Sequence, residues 1–249
     1  MSRVIGLIVV FAVGFLVGGC ANFGGNVADS HGLDAWSQKK AIFADFTLVF
    51  GEPMRIETTF LTDLSRAHVE FGDMGTIVWD GSQCWVSPFD SEIPMPRFQA
   101  RTWPYFIAAP FKLNDPGSTL EPTGKAQLLG EPYDTARLTF EAGVGDTPDD
   151  WYVLYMHPVT GQLKAMAYIV TYYQDTETAN AKPHAILYRD FREVDGVTLA
   201  HAWEFYLWSQ EQGIYGDAIA SAKFHDIRFV YPPEDLFNKP VGSKLDRRP

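Results

Sequence analysis

From Trp151 to Tyr173 the chain reads WYVLYMHPVTGQLKAMAYIVTYY, apolar at most positions on either side of a turn marked by Pro158 and Gly161. Side chains on a strand alternate between faces, so a half-buried strand alternates apolar and polar residues. Here the alternation is missing. Trp151, Val153 and Tyr155 share one face of the first strand, and Tyr152, Leu154 and Met156 the other. In the return strand Met166, Tyr168, Val170 and Tyr172 oppose Leu163, Ala165, Ala167 and Ile169. A hairpin apolar on both faces must be covered on both, or must line a cavity on one.

The rest of the chain is mostly short strands in series. Phe43–Phe50, Met54–Thr62 and Arg66–Phe71 carry strand-like patterns, and Asp80-Gly81 between Thr76 and Pro88 is a strong hairpin signal. Lys125–Gly130 and Thr135–Ala142 precede the long hairpin. His184–Val194 and Val197–Trp208 form another across Asp195-Gly196, and Ala218–Tyr231 is the last long strand. Thr176–Lys182 reads as a polar loop. Leu33–Ala44 fits a short amphipathic helix. Arg97–Phe111 is an aromatic-rich helical segment, expected to be cut into short pieces by Pro104 and Pro110. Two such helices cannot cover both faces of a flat sheet this wide, and curvature relieves the shortage.

Composition narrows the function. At 249 residues with 46% hydrophobic and 20% charged positions the chain is an ordinary globular one, and no composition shift divides it. A formal charge of −11 argues against nucleic acid as a partner and against a broad electrostatic grip on anionic lipid.

The amino terminus has its own pattern. Arg3 precedes the apolar run VIGLIVVFAVGFLVGG and then Cys20, the layout of an export signal over residues 1–19. Val17-Gly18-Gly19-Cys20 resembles the bacterial lipobox, which implies cleavage before Cys20 and lipidation of its thiol. The alternative is an anchor helix ending just before Cys20. The small, polar residues from Ala21 onward read as a flexible tether over residues 20–32. Ala21 after the cysteine favours the outer over the inner membrane.

Candidate catalytic chemistry is sparse. No zinc spacing, nucleophile elbow, phosphate loop or dinucleotide fingerprint occurs, so neither a metal nor a cofactor is expected. Of the six His, those at 68, 157, 184, 201 and 225 fall on or beside strands. Glu204 is the acid to watch, with a salt bridge to Arg189 or Arg192 as the commoner outcome. Cys84 sits inside a strand and reads as a small buried hydrophobe.

The segments IVWDGSQCWVSP, PFKLNDPGSTLEPTG (Pro110–Gly124) and FREVDGVTLAHAWEFYLW (Phe191–Trp208) resemble a family of bacterial exported lipoproteins similar to the LolA/LolB-like superfamily of lipoprotein-sorting carriers. That resemblance implies a mainly β (α+β) fold: one strongly curved antiparallel sheet, an incomplete β-barrel, with short helices over its concave face. The domain would span residues 33–249. It also implies a periplasm-facing lipoprotein, anchored through Cys20, that binds a lipid or other hydrophobic ligand and is not an enzyme. Trp79, Trp85, Trp103, Phe106, Trp151 and Trp203 are the candidate cavity lining. Two alternatives remain open: a non-catalytic envelope scaffold whose core is filled by its own side chains, and an envelope hydrolase built from converging His, Asp and Glu.

Overall fold

The structure, a computed structural model, describes residues 22–246. Two short helices come first, α1 (Phe23–Ser30) and α2 (Leu33–Ser37). They lead into β1 (Ala41–Phe50), β2 (Glu52–Leu61), β3 (Ala67–Phe71), β4 (Thr76–Trp79) and β5 (Cys84–Ser87). After α3 (Pro96–Ala108) and a 3-10 turn at Ala109–Phe111 come β6 (Ser118–Leu128) and β7 (Glu131–Phe140). The hairpin β8 (Tyr152–Met156) and β9 (Leu163–Tyr168) follows, then α4 (Thr176–Ala181). The chain ends in β10 (His184–Val194), β11 (Val197–Ser209), β12 (Gly213–Val230) and β13 (Lys244–Asp246).

All of these strands form one 13-stranded sheet in the order β13-β5-β4-β3-β2-β1-β12-β11-β10-β9-β8-β7-β6, open at both ends. Its pairings are antiparallel. Between β5 and β6 the chain passes from near one edge to the other, and α3 lies in that passage. The sheet curls around this helix. Arg97 of α3 lies over Trp79 of β4 at 4.5 Å, and the Tyr105 ring is 5.5 Å from that of Tyr152 on β8. In the sheet order β4 and β8 are separated by β3, β2, β1, β12, β11, β10 and β9. Flat, that span would be roughly 38 Å, whereas a helix of 13 residues is about 20 Å long. Only strong curvature brings both strands to one helix. The incomplete barrel expected from the sequence is therefore the fold.

The two apolar faces of β8–β9 have separate fates. Leu154, Met156, Met166 and Tyr168 join the main core on the concave side with Ile42, Phe46, Phe60 and Trp203. Trp151, Val153, Tyr155, Ala165, Ala167 and Ile169 enter a second core on the opposite face, with Leu128, Leu187 and Trp208. Trp151 donates from Nε1 to Asn180 Oδ1 of α4 at 2.8 Å, and Trp208 Nε1 donates to the Tyr155 hydroxyl at 2.8 Å. One expected position is reversed. Tyr155 pairs with Ala165 but Met156 with Leu163, so the ladder skips Lys164. Such a bulge flips the following side chain to the other face, and Leu163 packs in the main core.

Other expectations change as well. The helix expected over Leu33–Ala44 stops at Ser37, because the backbone from Ala41 is held between β2 and β12. The segment expected to be a tether contains α1, with Phe23, Val27 and Ala28 buried. The loop expected at Thr176–Lys182 contains α4, whose first turn is capped by Asp175 accepting the Thr178 N–H at 2.7 Å. Pro104 does not break α3, which runs unbroken to Ala108 with Pro104 buried inside it. The last long strand starts five residues earlier than expected, at Gly213. Signal residues 1–19 and Cys20 lie outside the described residues.

His31, just past α1, fixes that helix to the sheet. Its Nδ1 lies 2.8 Å from the Thr198 carbonyl oxygen, and the Leu163 N–H donates to its Nε2 at 3.0 Å. The Thr198 N–H in turn donates to the His31 carbonyl at 2.9 Å. A neutral ring with its proton on Nδ1 satisfies both ring contacts. Burial is the main reason its pKa drops from 6.5 to about 4.

Candidate functional site

A half-open cleft of about 550 Å³ runs between α3 and the concave face of the sheet. It is set by the two sides of α3. Ala100, Trp103, Phe106 and Ile107 are buried, while Phe98, Arg101, Thr102 and Tyr105, at helical spacing, are half-buried and line the cleft. Across from them, the sheet and its loops contribute Phe140, Tyr152, Tyr168, Ile169, Tyr172 and His184. Aromatic side chains form much of this wall, set among aliphatic and acidic residues. Phe106 and Tyr168 rings lie 5.2 Å apart, Phe140 and Tyr152 5.9 Å.

Beside the cleft the charged groups are mostly paired. Arg97 donates from Nε and Nη2 to the two Asp146 oxygens at 2.7 and 2.6 Å, and Arg101 Nε approaches the same carboxylate at 3.4 Å. Both guanidinium groups stack on Trp79, at 4.5 and 4.8 Å. The hydrogen bond to Asp146 raises the Arg97 pKa, whereas burial lowers that of Arg101. Lys112 pairs with Asp115 at 3.0 Å. Asp150 accepts from the Thr147 hydroxyl and from the N–H and hydroxyl of Thr171, at 2.7, 2.7 and 2.8 Å. Those bonds lower its pKa, but burial outweighs them and raises it.

The phenols of the cleft are held neutral. Burial raises the pKa of Tyr105, Tyr152 and Tyr168 above the usual tyrosine value, so each is a protonated donor at any physiological pH. The Tyr105 hydroxyl is buried without a hydrogen-bond partner.

Of the six expected lining residues, Trp103 and Phe106 line the cleft. Trp203 lies behind them in the core, its ring 6.3 Å from Phe106 and 4.7 Å from Phe224. Trp79 is covered by the two arginines. Trp85 donates from Nε1 to Asp80 Oδ2 at 2.7 Å in the β4–β5 turn, with Lys239 over its ring. Trp151 belongs to the second core, on the other side of the sheet. Size and aromaticity selected these residues, but the face assignment of the first strand already separated Trp151 from Tyr152.

The dispersed His residues make separate local contacts. His157 Nδ1 accepts from the Val159 and Thr160 N–H groups, His201 Nδ1 meets the Leu199 carbonyl, and His225 meets Thr47. Glu204 is bonded by Arg189 at 3.1 Å and by the Tyr206 hydroxyl at 2.9 Å. Of His68, His157, His184, His201, His225 and Glu204, His184 alone lines the cleft. Among the described residues no three His, Cys, Asp or Glu side chains group as a metal site would. Cys84 is free and buried.

With this geometry the chain resembles known structures. It aligns with a LolA superfamily protein from Nitrosomonas europaea at TM-score 0.54 and 10% identity, over 86% of this chain and 98% of that one. It aligns equally well, at TM-score 0.54 and 11% identity, with a DUF1329 family protein from Desulfovibrio piger, over 87% of this chain and 95% of the other. No family model and no curated protein matches the sequence. At such identities the likeness is one of fold. The fold is LolA-like, as the sequence resemblance implied.

Proposed function

We propose that this protein is a lipid-anchored, periplasm-facing lipoprotein of the bacterial envelope that holds a lipid or other hydrophobic ligand in the cleft beneath α3, without catalysing a reaction. The observation that carries this reading is the aromatic cleft itself. At about 550 Å³ it falls within the roughly 300–1,000 Å³ of small-molecule sites, which are concave and largely apolar. The LolA superfamily protein from Nitrosomonas europaea shares the architecture. The anchor rests on Cys20 and the residues before it, and palmitate labelling of wild type against Cys20→Ala tests it. With α1 starting at Phe23, an acylated Cys20 would hold the folded body directly against the bilayer rather than on a long tether.

Titration with the neutral probe N-phenyl-1-naphthylamine tests the cleft. A saturable rise in probe fluorescence is expected, lost when Thr102, which lines the cleft, is replaced by Trp. A scaffold with a self-filled core would bind no probe. That alternative draws on the part of the concave face where Trp203, Phe46 and Phe224 pack closely on one another.

A further inference from the structure

Within the aromatic cleft three polar side chains stand in one line. Tyr152 of β8 is the cross-strand partner of Tyr168 on β9, and Tyr168 is the partner of His184 on β10. Directly opposed residues on neighbouring strands project to the same face, and all three line the cleft. Their rings are spaced at 6.2 Å between Tyr152 and Tyr168, and at 6.1 Å between Tyr168 and His184. Among the described residues neither tyrosine hydroxyl nor the His184 ring makes a side-chain hydrogen bond. Tyr168 is only 8% exposed.

Neither tyrosine hydroxyl is among the buried atoms left without a partner, so both open to the cleft, and covering them with hydrocarbon would strip their water without replacing its hydrogen bonds. Phenylalanine at 152 and 168 would fill the same space without that penalty. A row of donors across three adjacent strands is therefore a feature that a purely hydrocarbon ligand leaves unused. The charges around the cleft limit what the row can receive. Asp63, Asp115, Asp146 and Asp150 line it against Arg101 and Lys112, and both cations are already paired with carboxylates. A free carboxylate or phosphate placed at the row would find no unpaired cation among these groups.

We propose that the Tyr152–Tyr168–His184 row receives the uncharged carbonyl oxygen of an acyl ester or amide, so that the cleft selects a neutral acylated amphiphile over both a bare hydrocarbon and a fatty-acid anion. The proposal rests on the cleft being a ligand site and adds what the ligand must carry. Tyr152 and Tyr168 donate to the carbonyl, His184 supplies a further hydrogen-bonding group at the end of the row, and the acyl chain lies against Phe106, Phe140 and Phe205.

Displacement of bound N-phenyl-1-naphthylamine by methyl laurate, tridecane and laurate tests this. An apolar cleft alone would favour tridecane, because the ester carbonyl would lose its water without compensation. The row predicts the reverse order, methyl laurate displacing the probe at lower concentration than tridecane, with laurate weaker than its ester. In Tyr152→Phe/Tyr168→Phe the ester's advantage should fall by roughly threefold to tenfold per hydroxyl removed. Displacement by tridecane should be retained, since a hydrocarbon has no use for the lost hydroxyls, and circular dichroism shows separately that the variant is folded; Tyr168→Phe alone gives a milder second test. An ester-to-alkane ratio equal in wild type and variants overturns the proposal, as does a preference for laurate. A wild-type protein that binds no probe overturns the ligand-site reading, and the proposal falls with it.

Discussion

Lowering the pH is expected to weaken the fold through one side chain, His31. Its imidazole is 1% exposed, lies against the Thr198 carbonyl, and accepts the Leu163 N–H. A second proton on the ring would set a donor against the Leu163 donor. The ring therefore resists protonation in the folded state, with its pKa lowered from 6.5 to about 4. The sign follows from proton binding. Between these two values the unfolded chain binds a proton that the folded one does not, so stability rises with pH. The contribution is fully present above pH 6.5 and is lost as the pH falls towards and through 4. At about 1.4 kcal/mol per pH unit the whole effect is about 3 kcal/mol. Urea unfolding followed by tryptophan fluorescence from pH 7.5 to 4 measures it. His68, His184 and His201, whose pKa values are also lowered by burial, add slopes of the same sign, so the comparison must be with His31→Gln. That variant should lose roughly 1–3 kcal/mol at neutral pH, because one amide replaces two well-placed ring nitrogens. Below pH 6.5 it should fall less steeply than wild type. Parallel profiles for the two proteins would refute the assignment.

Three further outcomes are expected. Trp203→Ala should cost about 3–5 kcal/mol in denaturant unfolding, since this 1%-exposed ring is surrounded by Phe46, Phe106, Tyr188 and Phe224. Trp203→Phe should cost less, because the buried indole N–H it removes has no partner. Asp146→Ala should destabilise by roughly 1–3 kcal/mol, leaving Arg97 and Arg101 stacked on Trp79 without their shared carboxylate. Cys84, fully buried with a thiol pKa pushed up to about 12, should resist Ellman's reagent at pH 8 in the folded protein and react once unfolded.

The sheet was legible where the residues dictate the turn. Asp195 and Gly196 both have positive φ, the conformation a tight two-residue hairpin demands, and β10 and β11 lie where the sequence places them. The two faces of β8–β9 were legible from alternation, apart from Leu163, because a bulge leaves no mark in apolar periodicity. Helix α1 was hidden by its composition. FGGNVADS reads as a spacer, and what makes it a helix with a buried face is packing under the sheet edge and the His31 bonds, all of which are long-range. The candidate site was legible as a class of surface and not as a set of residues. Large aromatic side chains were sought, yet Trp85 and Trp151 serve a turn and the second core. The row of Tyr152, Tyr168 and His184 depends on the register of two strand pairs, one of them shifted by the Lys164 bulge, and register across such a bulge is not written in the pattern.

The central claim is that the cleft beneath α3 holds a hydrophobic ligand. Mass spectrometry of the protein purified without denaturation, followed by organic extraction, tests it most directly. An acylated lipid should be recovered from wild type and should be depleted in a folded Thr102→Trp variant, whose new side chain occupies the cleft. A folded wild-type protein that yields no apolar small molecule, and takes up none after incubation with lipid vesicles, would contradict the account.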